Sequence, residues 1–325
     1  MSNPQIRSIG FSCRDAEALA HFYISHLGCQ LIDTLEIQGG GYAELMGLAG
    51  SYLKLWRLKL GEECLEFTEV KQLGANLRAG RAIPLDSRSN DRWFQHICIV
   101  VNNMAAAAAP IEALIEQGAL RSISTAPQTL PSWNKAAGGI QAFKFHDPEG
   151  HCLELLQFPP DKGEARWHQQ EHASPFLGID HSAIANADTA RSCLFYEGLL
   201  GLKLGGDGVN SGIEQDRLDG LQGTEVRITG HRCAEGAGVE CLNYLKPEDG
   251  RPLPPDQTAA DSAHWQIRLE VRDLEAIALG LREAGGSWVS QGIVELGQDQ
   301  AAQLGFGRAM QVRDPDGHQL QLVNN

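Results

Sequence analysis

His96 and His181 each sit in a short apolar run, seven residues before an Asn or Asp able to cap a helix, Asn103 and Asp188. A glutamate follows each at nearly the same interval: Glu154 lies 58 residues after His96, and Glu240 lies 59 after His181. Imidazole nitrogen and carboxylate oxygen together suit a borderline divalent ion such as Ni, Co, Fe, Mn or Zn. The same offset from Asp15 and Asp273 gives Ser8 and Gln266, followed by Glu66 and Gln321 at intervals of 58 and 55 residues. Neutral serine is a poor substitute for either donor. A lone strand histidine is more often a satisfied structural group than a ligand. Here it is the constant register of four positions that carries the ligand reading.

That register belongs to a repeat. Four copies of one pattern open at IRSIGFSCRD (6–15), FQHICIVVNN (94–103), IDHSAIANAD (179–188) and WQIRLEVRD (265–273). Each is an apolar, strand-like run ending in Asp or Asn, whose side-chain oxygen can accept from a first-turn N–H. Helical periodicity follows and closes on Gly28, Gly118, Gly201 and Gly285, as expected of helix C-caps. Gly-rich turns and short alternating segments then lead to a final apolar strand: CLEFTEV (64–70), CLELLQF (152–158), VECLNYL (239–245) and QLQLVNN (319–325). Each unit therefore reads β-α-β-β-β. Strand alternation puts Ile97, Ile99 and Val101 on the face opposite His96, and Ile267, Leu269 and Val271 opposite Gln266, free to pack on the helix.

Units one and three share L-x-G-L-x-G (Leu45–Gly50, Leu218–Gly223), and units two and four share D-P-[ED]-G-H (Asp147–His151, Asp314–His318). The chain is thus a duplicated pair of units. The expected divisions are residues 1–160 (modules 6–72 and 93–160), a polar, proline-bearing linker at 161–175, and residues 176–325 (modules 177–247 and 263–325). His168 and His172 fall in the linker and read as solvated; His151 and His318 read as turn residues bonding backbone.

The chain has 325 residues and 27 Lys+Arg against 41 Asp+Glu, a net charge of −14. An acidic balance without a basic face argues against nucleic acid as partner. No apolar run is long enough for a membrane span, and MSNPQIRSIGFSCRDAEA lacks the features of a secretory signal, so a cytoplasmic location is expected. The eight cysteines are scattered, which suits reduced core thiols rather than disulfides or zinc ligands. The expected partner is a small-molecule substrate, and either a monomer or a homodimer is compatible with four modules.

The strand–Asp–helix openings, the Phe22–Tyr23 and Phe195–Tyr196 pairs before L-G, and the D-P-x-G-H closings together resemble the vicinal oxygen chelate superfamily, which includes glyoxalase I, extradiol dioxygenases and bleomycin resistance proteins. The resemblance covers nearly the whole chain. It implies an α+β fold in which paired βαβββ modules form two eight-stranded cups, with metal ligands in the first and last strands of each module.

Module pairing then decides the chemistry. Paired in order, each cup is incomplete: Ser8, Glu66, His96 and Glu154 in one; His181, Glu240, Gln266 and Gln321 in the other. Crossed pairing, which the superfamily allows, collects His96, Glu154, His181 and Glu240 in one cup and every departure in the other. That segregation favours crossing. The full set implies a metal-dependent, glyoxalase-like lyase or isomerase acting on adjacent oxygens through an enediolate-type intermediate, with Glu154 or Glu240 as the base. Ala185 and Tyr244 stand where Arg or Asn contacts to glutathione are expected, which argues against that cosubstrate. Two alternatives remain: a non-haem Fe(II) dioxygenase of the extradiol type, and a metal-free binding or resistance protein. For the latter, Trp93, Trp133 and Tyr244 are candidate lining residues, and Ser8, Glu66, Gln266, Arg268 and Gln321 form a metal-free ligand-binding cup in which Arg268 can anchor an anion.

Overall fold

The computed structural model describes residues 4–168 and 174–324; His172 lies outside them. The first module comprises β1 (Gln5–Cys13), α1 (Ala16–Leu27), β2 (Gln30–Gln38), α2 (Gly40–Leu45), β3 (Tyr52–Leu60) and β4 (Glu63–Gln72). The second comprises β5 (Gln95–Val101), α3 (Met104–Glu116), β6 (Arg121–Ser122), β7 (Gln128–Thr129), β8 (Gln141–His146) and β9 (Cys152–Gln157). The third comprises β10 (Phe176–Asn186), α4 (Thr189–Cys193) running into a π-helical turn at Leu194–Leu199, β11 (Lys203–Ser211), α5 (Ile213–Asp219), β12 (Glu225–Arg232) and β13 (Gly238–Lys246). The fourth comprises β14 (Trp265–Glu270), α6 (Leu274–Glu283), β15 (Ser287–Trp288), β16 (Val294–Glu295), α7 (Gln298–Leu304), β17 (Arg308–Arg313) and β18 (Gln319–Asn324).

The local signals act as expected. Asp15, Asn103, Asp188 and Asp273 each accept a first-turn N–H with their side-chain oxygen. Gly28 and its three counterparts take up the left-handed conformation just past each helix. The second strand of the unit differs between modules. It is nine residues long in modules one and three but reduced to two short pairs in modules two and four. Pro127 falls in the break between β6 and β7 in module two, and Gly292 in the break between β15 and β16 in module four.

The strands form two sheets. One runs β15-β17-β18-β14-β1-β4-β3-β2, with β16 on β17; the other runs β11-β12-β13-β10-β5-β9-β8-β6, with β7 on β8. The pairing is crossed: β1 joins β14 antiparallel, and β5 joins β10. The helices follow a different logic. Leu19 and Tyr23 of α1 share one core with Ala107 and Ile111 of α3 and with Ile97, Ile99 and Val101, whereas Leu274 and Leu281 of α6 share another with Tyr196, Ile267, Leu269 and Val271. Consecutive modules therefore merge through their helical faces, and the sheets are shared between the two halves of the chain.

Two recurring motifs tie consecutive modules together. Tyr23 Oη donates to Asp147 at 3.2 Å, and Tyr196 Oη donates to Asp314 at 3.1 Å. His151 donates to the Ser12 carbonyl at 2.9 Å and His318 to the Ala185 carbonyl at 2.8 Å. The F-Y and D-P-x-G-H motifs are thus the two sides of one buried contact. The linker is not wholly solvated: Trp167, in a 3₁₀ turn over Ala165–His168, is buried beside Val100 and Leu177, with the Arg166 guanidinium 3.9 Å above its ring. His168 is exposed, as expected of the linker. Among the described residues all eight cysteines are free, and no helix is long and apolar enough to cross a membrane.

Candidate metal centre

Crossed pairing places β13, β10, β5 and β9 side by side, so that Glu240, His181, His96 and Glu154 come from four adjacent strands. Their register brings them to one face: Ala183 lies opposite both His96 and Glu240, and Cys98 lies opposite both His181 and Glu154. Ligand atoms of His96, Glu154 and His181 all lie within 4.8 Å of one another. Glu240 joins them from the other side, with Oε2 3.3 Å from His181 Nε2; Glu154 Oε2 is 3.1 Å from His96 Nε2.

The donor atoms fit a cation. The Nε2 atoms of both histidines are buried without a hydrogen-bond partner, as are both ring nitrogens of His96. Such orphans are costly in a folded protein unless something outside the chain satisfies them. Burial lowers the His96 pKa despite the neighbouring Glu154, favouring the neutral, ligating imidazole. Burial alone would raise Glu154, but Lys144 and His96 outweigh it and hold the carboxyl down to about 2. Glu240 is likewise lowered, against the effect of burial, by His181. His181 itself is raised: burial opposes the charge, but Glu240, Cys98 and Asp180 favour it. Ligation there would therefore release a proton.

Supporting residues surround this set. Asp180 Oδ2 lies 2.8 Å from His181 Nδ1 and accepts from Arg232 Nη2 at 2.8 Å, which fixes the ring so that Nε2 faces the other ligands. Replacing Asp180 with Asn is expected to weaken metal binding about 10- to 100-fold. Competition with a chromophoric chelator measures this, and an unchanged affinity would show that Asp180 does not orient the ligand. Lys144 on β8 is buried, with Nζ 2.7 Å from Asp219 and 3.9 Å from Glu154; burial disfavours its charge, but Asp219 and Glu154 prevail and raise its pKa. Asp180, Arg232, Lys144 and Asp219 were not singled out from sequence. Arg232, Lys144 and Asp219 act through partners in another strand or module, which spacing along the chain does not reveal; Asp180 adjoins His181 in the sequence.

A cavity of about 210 Å³ opens over the four candidate ligands, lined largely by apolar side chains such as Leu130, Ile140, Leu156 and Leu242, with Tyr244 also in its wall. Two expectations need correcting. Trp133 is 60% exposed and Trp93 is held by a bond from its indole N–H to Ser87 Oγ; neither lines this cavity.

The other sheet holds the counterpart, with each position in matching register. Ser8 lies opposite Arg268 as His181 lies opposite Cys98, Gly10 lies opposite Gln266 and Glu66, and Arg268 lies opposite Gln321. Ser8, Glu66, Gln266 and Gln321 thus stand where the first cup has His181, Glu240, His96 and Glu154. Into that space Arg268 sends its guanidinium. It donates to Glu66 at 2.7 and 3.0 Å, to Gln321 Oε1 at 2.6 Å and to Tyr42 Oη at 3.2 Å. Far from being left open to anchor an anion, the Arg268 charge is matched by the Glu66 carboxylate beside it. The cup supplies its own cation.

Residues 178–322 match the model of the Glyoxalase/Bleomycin resistance protein/Dioxygenase superfamily. The whole chain has its fold. Glyoxalase I from Zea mays superposes with a TM-score of 0.60 at 15% identity, over 99% of this chain and 92% of that one. A proposed dioxygenase from Bacillus subtilis does so with a TM-score of 0.53 at 16% identity, over 100% of this chain and 86% of that one. No curated protein matches by sequence.

Proposed function

We propose that His96, Glu154, His181 and Glu240 hold one divalent metal ion, and that the protein is a glyoxalase-like lyase or isomerase acting on a small substrate with adjacent oxygens. The observation that carries this reading is the meeting of two buried imidazoles, each with an Nε2 that has no hydrogen-bond partner, with two carboxylates on the floor of a cavity. A divalent cation there supplies Lewis acidity toward substrate oxygens. The chain's own part is proton transfer. Glu240 is the carboxylate suited to it: its side chain is 24% exposed against 8% for Glu154, and Glu154 is held by Lys144 and His96. Glu240 takes a proton from one carbon of the substrate and delivers a proton to the neighbouring carbon, while the hydroxyl proton passes from the first oxygen to the second, so that the product is an isomer of the substrate.

Incubation of metal-loaded protein in D₂O with α-hydroxycarbonyl thioesters and hemithioacetals tests this. Deuterium is expected at the carbon next to the carbonyl; protein that carries metal yet exchanges no carbon-bound proton on any of them would contradict the reading. A second reading rests on the tight grouping of His96, Glu154 and His181, since two histidines and one carboxylate also suit Fe(II) in oxygenases. Oxygen uptake with catechols by the Fe(II)-loaded protein would favour it.

A further inference from the structure

The two cups differ in more than their ligands, and the difference lies in the strand pair beside the last of them. In the ligand-free cup, Arg57 lies opposite Glu66 and Asp33 lies opposite Arg57. Their side chains form a two-point ion pair across β2 and β3, and Arg57 forms part of the wall over Glu66 and Arg268. In the metal cup the same register positions are Gly230, opposite Glu240, and Gly206, opposite Gly230. A Cβ built on either glycine meets nothing within 4 Å.

Backbone geometry does not call for glycine here, because neither residue has a positive φ. Glycine inside a strand weakens it and often marks close approach by a ligand. Both residues border the cavity over the candidate metal ligands. Facing them is the segment before β8. A Cβ on Gly208, two residues along the same strand, would come within 3.5 Å of the Ala136 methyl, while Ala137 and Ile140 continue that opposite wall. Bare backbone on one side and the apolar side chains of Ala136, Ala137 and Ile140 on the other leave a slot beside Glu240.

Building on the metal reading, we propose that Gly206 and Gly230 determine specificity by opening this slot to a flat or extended uncharged apolar arm, carried by a substrate whose adjacent oxygens sit at the ligands. The ligand-free cup carries the closed form of the same place. A compact molecule with the same oxygens uses the floor alone; an armed one uses both.

Two chelators with the same head test this: acetohydroxamate, which is compact, and benzohydroxamate, which adds a flat apolar ring. Affinities for both are measured by calorimetry on full-length wild type and on Gly230→Leu, with metal content determined on the same samples. Gly206→Leu serves if Gly230→Leu does not fold, as judged by circular dichroism. Wild type is expected to prefer benzohydroxamate by about tenfold or more, as burial of several ring carbons implies. Gly230→Leu should keep its metal and its affinity for acetohydroxamate while the preference falls to about one. A metal-bearing wild type without the preference, or a variant that retains it, overturns the slot. Metal-free wild type that binds benzohydroxamate, with that binding lost in Gly230→Leu, keeps the slot and defeats the metal reading; binding of neither chelator overturns both.

Discussion

Arg268→Met is expected to cost about 3–5 kcal/mol of folding stability, the range found when one partner of a buried ion pair is removed. Glu66 is 1% exposed, and its two carboxylate oxygens accept from Arg268 Nη1 and Nη2. Without the guanidinium a carboxylate is left in the sheet with only the Tyr42 hydroxyl, 3.0 Å away, to satisfy it. Gln321 Oε1 also loses its donor. Urea unfolding measures the loss. Adding Glu66→Gln should recover much of it, because an uncharged amide no longer demands a cation. A single variant as stable as wild type would show that the pair does not hold this cup together.

Glu240→Gln should lower carbon–proton exchange by about 10²- to 10⁴-fold, the usual contribution of a positioned general base. Metal should remain bound, since His96, Glu154 and His181 form a close cluster without Glu240. An amide can still ligate through its oxygen, but it cannot take up a proton. The exchange rate and the metal content are read from the same preparation. Unimpaired exchange would move the base elsewhere, and loss of metal together with exchange would make Glu240 principally a ligand.

Both predictions depend on features of unequal visibility in the sequence. The helix caps, the glycine stops and the ligand register were legible because each is a local rule obeyed four times over. Crossed pairing was legible for a different reason: Ser8, Gln266 and Gln321 fall together only when module one meets module four. The sequence could not show what Arg268 does there. Its place opposite Gln321 is a matter of register, but its bonds to Glu66 run between strands 202 residues apart in the chain. The Lys144–Asp219 and Asp180–Arg232 pairs were hidden in the same way, by separations of 75 and 52 residues. Gly206 and Gly230 were not singled out in the sequence; they lie in paired strands and matter for the room they leave. The breaks in the second strands of modules two and four hold Pro127 and Gly292, but their effect depends on where the ladder needs its donors.

On the proposed reading one of two homologous cups binds a metal and the other carries the Arg268 guanidinium in its place. Elemental analysis of purified wild type beside His96→Ala, His181→Ala and Gln266→Ala tests it most directly. The expected result is about one metal ion per chain, lost with either histidine and retained with Gln266→Ala. Metal lost with Gln266→Ala, or no metal in the wild type, would contradict it.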